Sequence, residues 1–166
     1  MKARAVLRSY DGMDDQPLTP LDPAYASMLR LQFAIVALVL LAGATAAEIA
    51  IPGYTGAVWI PVIVFSLWLL IRMPMRRYAA RGYSLAEERL RVVRGILFRS
   101  DTVVPFGRVQ HIDVNQGPLE RLFHLATLTV HTAGSHNASV SLPGLAQEDA
   151  AAMREEIRAA IRRDTQ

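Results

Sequence analysis

Two apolar stretches joined by a turn sequence constrain this chain more than any other feature. No charged residue occurs between Phe33 and Ala47, or between Thr55 and Ile71. A helix needs about 20 mostly apolar residues to cross about 30 Å of hydrocarbon, and both stretches reach that length with their interfacial ends. Pro52-Gly53 between them indicates a turn. The sequence therefore predicts a hairpin of two transmembrane helices, about residues 29–50 and 54–71.

Two other interpretations of the apolar stretches are weaker. Ala44-Thr45-Ala46 resembles a signal-peptidase site. However, the preceding segment is very long for a leader and contains four acidic residues, Asp11, Asp14, Asp15 and Asp22. A hairpin buried inside a soluble core is also disfavoured, because 166 residues leave little mass with which to cover it.

Basic residues lie in the two outer flanks of the hairpin and not in the connection between its helices. The connection carries Glu48 and no Arg or Lys, whereas eight basic residues lie in the two outer flanks: Lys2, Arg4, Arg8, Arg30, Arg72, Arg76, Arg77 and Arg81. Short loops rich in Arg and Lys stay in the cytoplasm. The sequence therefore predicts a multi-pass protein of the bacterial plasma (inner) membrane with both termini cytoplasmic.

Small residues recur on the first predicted helix. Ala42 and Ala46 are four residues apart, and so are Gly43 and Ala47. Small residues at this spacing allow a neighbouring helix to approach closely. The first helix is therefore expected to offer a surface for helix packing.

After the hairpin the pattern changes to short segments of alternating polarity, which is typical of half-buried strands. The clearest are Gln110–Asn115, Ala126–Thr132 and Ala138–Leu142. Less regular candidates are Tyr78–Leu85, Leu90–Phe98 and Thr102–Phe106. Three parts are therefore expected: an N-terminal cytoplasmic segment (1–28), the transmembrane hairpin (29–72) and a cytoplasmic β-rich domain (73–166).

An amphipathic helix is predicted at the end of the chain, from about Gln147 to Arg163. Its apolar stripe comprises Ala150, Met153, Ile157, Ala160 and Ile161. Acidic residues in the first turn and arginines in the last match the helix dipole. Strands followed by one such helix describe an α+β domain whose core the helix closes.

Specific sequence runs carry a family resemblance. Leu90–Phe98, Val104–Val114 and Gln116–Arg121 resemble the bacterial pleckstrin-homology-like (PH-like) domain of YdbS-like membrane proteins, and the similarity extends from Leu29 to Ile161. The resemblance implies a split β-barrel of about seven strands closed by the C-terminal helix. It also implies partners, since such proteins often act beside a larger membrane protein with several PH-like domains. It supplies no catalytic or ligand residues.

Four arginines directly after the second apolar stretch are the candidate lipid-headgroup site: Arg72, Arg76, Arg77 and Arg81. Basic residues near an anionic leaflet contribute about 1 kcal/mol each to membrane attraction. The simpler interpretation, which we favour, is that they fix topology. The predicted turn Ala86–Arg89 is acidic on balance, which disfavours binding of inositide-type ligands there.

Other chemistry finds little support in the sequence. The absence of Cys excludes disulfides and thiolate zinc sites. His111, His131 and His136 show no metal-ligand spacing, so polar-face histidines are the simpler interpretation and no metal is expected. No Gly-x-Ser-x-Gly or phosphate-binding glycine motif occurs, so neither an enzyme nor a cofactor is expected. A net charge of +3 does not favour nucleic acid.

These observations lead to one functional hypothesis and two alternatives. The expected function is a non-enzymatic binding or scaffolding module in a plasma-membrane complex, with a role in envelope maintenance or stress tolerance inferred from the resemblance. Its expected partners are membrane lipids and other membrane proteins. The alternatives are a sensor of anionic headgroups and an accessory subunit of an export complex. The sequence does not indicate the oligomeric state.

Overall fold

A computed structural model describes residues 17–50, 56, 58–86, 88–96, 98–133 and 139–164. Several features predicted from the sequence fall at least partly outside these ranges: the N-terminal segment up to residue 16 with Lys2, Arg4 and Arg8, the Pro52-Gly53 turn, Glu87, Leu97, His136 and Ala138. The order of elements is two long helices, six strands interrupted by short helical segments, and a closing helix.

The two apolar stretches form long helices, α1 (Pro23–Ala50) and α2 (Trp59–Ala79), which pack side by side. Their mean hydropathy reaches 2.2 and 1.4, and both are long enough to cross a membrane. Ala37 and Ala44 of α1 are buried, as is Ser66 of α2, whereas large apolar side chains are exposed from Ile35 on α1 and as far as Met75 on α2. Small side chains therefore lie between the two helices. The exposed large apolar side chains of both helices form an outer surface, which we call the apolar belt.

Three of the four recurring small residues of α1 do not pack against α2. Ala42, Gly43 and Ala46 are exposed, and a Cβ at Gly43 would meet no described atom within 4 Å. This face of α1 is open in the described part of the chain.

Six strands form two separate antiparallel sheets of three. The first sheet contains β1 (Gly82–Ala86), β2 (Arg89–Arg94) and β3 (Ser100–Pro105), in that order. A 3-10 turn at Phe106–Arg108 leads to the second sheet, which contains β4 (Val109–Asn115), β5 (Leu125–Thr132) and β6 (Ser139–Ala146). A short helix, α3 (Pro118–Leu122), connects β4 to β5.

All six strand segments predicted from polarity are present, and four of them have a boundary changed by more than one residue. The strand predicted from Thr102 begins at Ser100, and the strand predicted to end at Leu142 continues to Ala146. Tyr78 belongs to α2, so the first strand begins only at Gly82. The second strand ends at Arg94, because Gly95 turns the chain with a φ of +125°. The split barrel of about seven strands implied by the resemblance is found only in part: the described residues form six strands in two sheets that do not close, followed by the predicted C-terminal helix. The two sheets remain unjoined because β3 and β4 meet through the 3-10 turn rather than through a hydrogen-bonded ladder.

The C-terminal helix α4 (Gln147–Asp164) closes the domain, largely as its apolar stripe predicts. Ala150, Met153, Ile157 and Ala160 are buried, and Ile161 packs against the core at its edge. The helix contacts all three strands of the second sheet and the 3-10 turn. Helix and sheets therefore share one hydrophobic core.

That core also includes the start of α1 and the segment before it. Leu21, Tyr25, Met28 and Leu29 are buried in the same cluster as the strand residues. Gly144, with a φ of +77°, lets β6 approach Tyr25 so closely that a Cβ there would lie 2.5 Å from the Tyr25 ring. The base of α1 is consequently an integral part of the β-rich domain.

Candidate functional site at the base of the hairpin

The four predicted arginines divide into two structural pairs. Arg77 and Arg81 are half-buried and contact aromatic rings of α1. The Cζ atom of Arg77 lies 5.1 Å from the centre of the Phe33 ring. A cation over an aromatic face is worth about 0.5–1 kcal/mol at exposed sites and more when desolvated. These two arginines therefore hold the antiparallel helices together at their base.

Arg72 and Arg76 form the other pair and are exposed. They lie four residues apart on α2, so their side chains project from the same face. Met75 is the last exposed large apolar residue of the α2 belt, which places Arg76 at its end and Arg72 about one turn inside it. A long arginine side chain at such a position reaches toward the interface while its stem remains in apolar surroundings. Of the four predicted arginines, this is the pair whose side chains are exposed.

The connection between hairpin and domain has almost no slack. Ala80 and Arg81 are the only residues between the end of α2 and the start of β1. The Tyr78 hydroxyl donates a hydrogen bond to the Leu21 carbonyl (2.8 Å), and the Asp22 amide donates to the Gly144 carbonyl (3.0 Å). Thr19 pairs with Tyr83 as an isolated β-bridge. The domain is thus attached to both helices and has no flexible linker to α2.

A cleft between β1 and α4 is acidic. It has a volume of about 620 Å³ and is lined by Asp149 and Glu156 without a basic residue. Burial, and to a smaller extent the Asp149 carboxylate, raise the pKa of the neighbouring Tyr83. A phosphate group would meet negative charge here, so this cleft does not suit an anionic headgroup.

The histidines on the second sheet form a surface network. His111 and His131 are direct cross-strand neighbours, and their Nε2 atoms lie 2.6 Å and 3.3 Å from the two oxygens of Asp113. All three side chains are substantially exposed to solvent. No group of three or more metal-ligand residues with suitable geometry occurs in the described ranges. The arrangement fits cross-strand pairs that stabilise a polar sheet face.

Sequence reasoning identified the arginines but missed their partners. Tyr25 and Phe33 occur at the start of an apolar stretch, where an aromatic residue is equally typical of lipid contact or of an interface belt. No local pattern connects them to arginines more than 40 residues later. The one available signal was the antiparallel geometry of a short hairpin, which brings the start of α1 beside the end of α2.

Two spanning-length apolar helices fused to a two-sheet α+β domain define a membrane-anchored protein with a PH-like domain. Residues 29–161 match the family model of the bacterial PH domain, and the chain belongs to that family. It is 30% identical over 151 residues to the UPF0699 transmembrane protein YdbS of Bacillus subtilis (strain 168), which covers 87% of this chain and 93% of that protein. No solved structure matches the chain. The resemblance to YdbS-like membrane proteins is thus confirmed, and the chain is a membrane protein.

Proposed function

We propose that this protein is a non-enzymatic binding module that assembles with other membrane proteins of the bacterial plasma membrane. Its partners would include a larger protein with several PH-like domains, and the complex would serve envelope maintenance or stress tolerance. The observation that carries the proposal is the fusion of the domain to the hairpin. A domain fixed by both helices, with Tyr25 in its core, presents one constant surface to proteins in the same membrane.

Two further observations favour a protein partner. The cleft between β1 and α4 is acidic and so unsuited to anionic ligands. On α1, the small residues Ala42, Gly43 and Ala46 are exposed, and small-residue faces allow close helix packing in membranes. A partner helix on this face would add a membrane contact to any contact made by the domain.

A lipid sensor is the second candidate function, and the exposed pair Arg72 and Arg76 favours it. Replacing both with Gln in the full-length protein separates the two functions. If the protein is a scaffold, a partner that co-purifies from native membranes at fixed stoichiometry should be recovered at the parental yield. If the protein senses lipid, the double variant should fail to replace the parental protein in cells that lack it, although the partner is still recovered. If the protein is a scaffold, a variant that recovers its partner should replace the parental protein. Gly43→Leu is the matched variant for the scaffold, because added bulk on the open face should reduce partner recovery.

The membrane orientation must be checked in the same variants, because arginines also determine topology. The proposed orientation places both termini in the cytoplasm. The chain has no Cys, so single introduced cysteines report their own location. A cysteine at Thr55, in the connection, should react with an impermeant thiol reagent added outside intact cells, and one at Glu88 should not. The reverse pattern would contradict the proposed orientation.

A further inference from the structure

The loop between β2 and β3 exposes large apolar side chains. Its described residues are Gly95, Ile96, Phe98 and Arg99, and we refer to these four as the β2–β3 loop. The Phe98 side chain is 89% exposed and that of Ile96 39%. An isolated exposed apolar residue is ordinary on a protein surface. Here the exposed apolar residues are of interest because the loop lies beside the end of α2.

Strand pairing places the loop beside the end of α2. Gly82, the first residue of β1, pairs with Val93 near the end of β2, and Arg94 pairs with Ser100 across the loop. A cavity of about 370 Å³ is bounded by Ala79 and Arg81 on one side and by Gly95 and Arg99 on the other. Met75, where the apolar belt of α2 ends, is four residues before Ala79, about 6 Å along the helix. The loop therefore lies close to the level at which α2 leaves the apolar belt.

The charges around the loop complement an anionic bilayer. Arg94 and Arg99 flank the two apolar residues, and both are exposed. Neither forms a salt bridge within the described ranges of the chain. Apolar and aromatic side chains next to basic ones are the composition that binds at the boundary between headgroups and acyl chains. Each Arg near an anionic surface adds about 1 kcal/mol of attraction.

The backbone of the loop is tightly closed. Gly95 adopts a φ of +125°, and a Cβ at this position would lie 1.8 Å from the carbonyl oxygen of Phe98. Only glycine fits here, because the turn brings the Phe98 backbone against residue 95. The Phe98 ring nevertheless remains exposed to solvent. A compact turn of this kind limits the conformational entropy lost when the side chains become buried in lipid.

We propose that the β2–β3 loop inserts Ile96 and Phe98 into the interfacial region of the bilayer beside α2. The loop is thereby a third membrane contact in addition to the two helices, and Arg94 and Arg99 bind phospholipid phosphates around it. This contact involves none of the four arginines at the hairpin base. It is independent of which protein partner the module binds.

The absence of Cys permits a direct depth measurement. Full-length Phe98→Cys and Glu88→Cys variants would each carry a nitroxide label and be reconstituted in vesicles of phosphatidylglycerol and phosphatidylcholine. Glu88 is the matched control, because it is an exposed residue of the β1–β2 turn, about 20 Å from Arg94 along β2. The ratio of collision rates with oxygen and with a water-soluble nickel chelate should be several-fold higher at residue 98 than at residue 88. Equal ratios at the two positions would overturn the proposal. They would be expected if the loop binds a protein partner instead of the bilayer.

The charge requirement has its own measurement. The ratio at residue 98 should fall when phosphatidylglycerol is replaced by phosphatidylcholine. In an Arg94→Gln, Arg99→Gln background the ratio should be lower in the mixed vesicles and should no longer depend on lipid charge. A dependence on lipid charge that persists in this background would overturn the role assigned to the two arginines.

Discussion

The Arg81 guanidinium donates a hydrogen bond to the Tyr25 hydroxyl, and its Cζ atom lies 5.5 Å from the centre of the same ring. Residue 81 is the last before β1 and residue 25 is near the start of α1. The interaction therefore joins the start of the first helix to the entry of the domain. Arg81, predicted as a headgroup ligand, has a structural contact that competes with that role.

Arg81→Gln should destabilise the protein, whereas Arg76→Gln should not. Losing a hydrogen bond from a charged donor and a cation–π contact costs about 1–3 kcal/mol. Arg76 is exposed on α2, and substitutions at such positions usually change stability by less than about 0.5 kcal/mol. Thermal unfolding of both full-length variants in the same detergent would measure the difference. Equal melting temperatures for the two variants would contradict a structural role of Arg81.

Gly144→Ala should be destabilising because the approach of Tyr25 to β6 leaves no room for a methyl group. The added Cβ would lie 2.5 Å from Cγ of Tyr25, at a φ of +77° that side chains rarely adopt. We expect a loss of about 1–3 kcal/mol in the free energy of unfolding. Gly107→Ala is the control, since a Cβ there meets nothing within 4 Å. Chemical denaturation of the two variants should separate them, and similar midpoints would argue against the contact between α1 and β6.

Stability should decrease in acid through Asp101. Hydrogen bonds from the Arg91 side chain lower the pKa of Asp101 from its ordinary 3.8, and Arg91 Nε lies 3.0 Å from Oδ1. A carboxyl whose folded-state pKa is lowered contributes stability above its unfolded value, and this contribution is lost as pH falls through the folded value. The contribution should therefore disappear below about pH 4. The Asp101 side chain is 36% exposed, so solvent screens the pair, and Asp101→Asn should cost at most about 1 kcal/mol at neutral pH and progressively less in acid. A cost that stays constant between about pH 7 and pH 3 would exclude ionisation of Asp101 as its source.

Ile157→Asp tests whether α4 closes the core. The Ile157 side chain is fully buried, so an aspartate there would place an unpaired charge among apolar groups at a cost of several kcal/mol. Ile161→Asp is the matched control, because Ile161 is only half-buried at the edge of the same helix face. Circular dichroism melts of the two variants should rank Ile157→Asp as much less stable. If it melts like the parent, the closing-helix interpretation is wrong.

The sequence predicted elements whose pattern repeats locally. The period-two segments at Gln110–Asn115 and Ala126–Thr132 are strands, and the stripe around Met153 is the buried face of α4. These predictions succeed because each side of such an element has a single environment. The start of α1 has more than one environment. The apolar pattern predicts that Leu29 and Phe33 face the membrane, yet they are buried against the domain and α2. An apolar run does not reveal whether lipid or protein covers it.

The candidate site was predictable only in its composition. The cluster Arg72–Arg81 was evident from charge, but its division into an exposed pair and a half-buried pair depends on α2 continuing as a helix to Ala79. That continuation was missed because Tyr78–Leu85, although its alternation is irregular, was predicted to be a strand. The β2–β3 loop was missed for a similar reason, since Leu90–Phe98 reads as one strand until the positive φ of Gly95 is known.

The two-residue connection between α2 and β1 couples the orientation of the domain rigidly to that of the helices. Apolar helices adjust to bilayers of different thickness by changing their tilt. In a protein with a flexible linker, the soluble part would be unaffected by such a change. Here α1 begins inside the domain and α2 ends directly at it, so we expect each degree of helix tilt to rotate the whole β-rich body by the same angle. Local membrane thickness would then control which faces of the domain a neighbouring protein can reach.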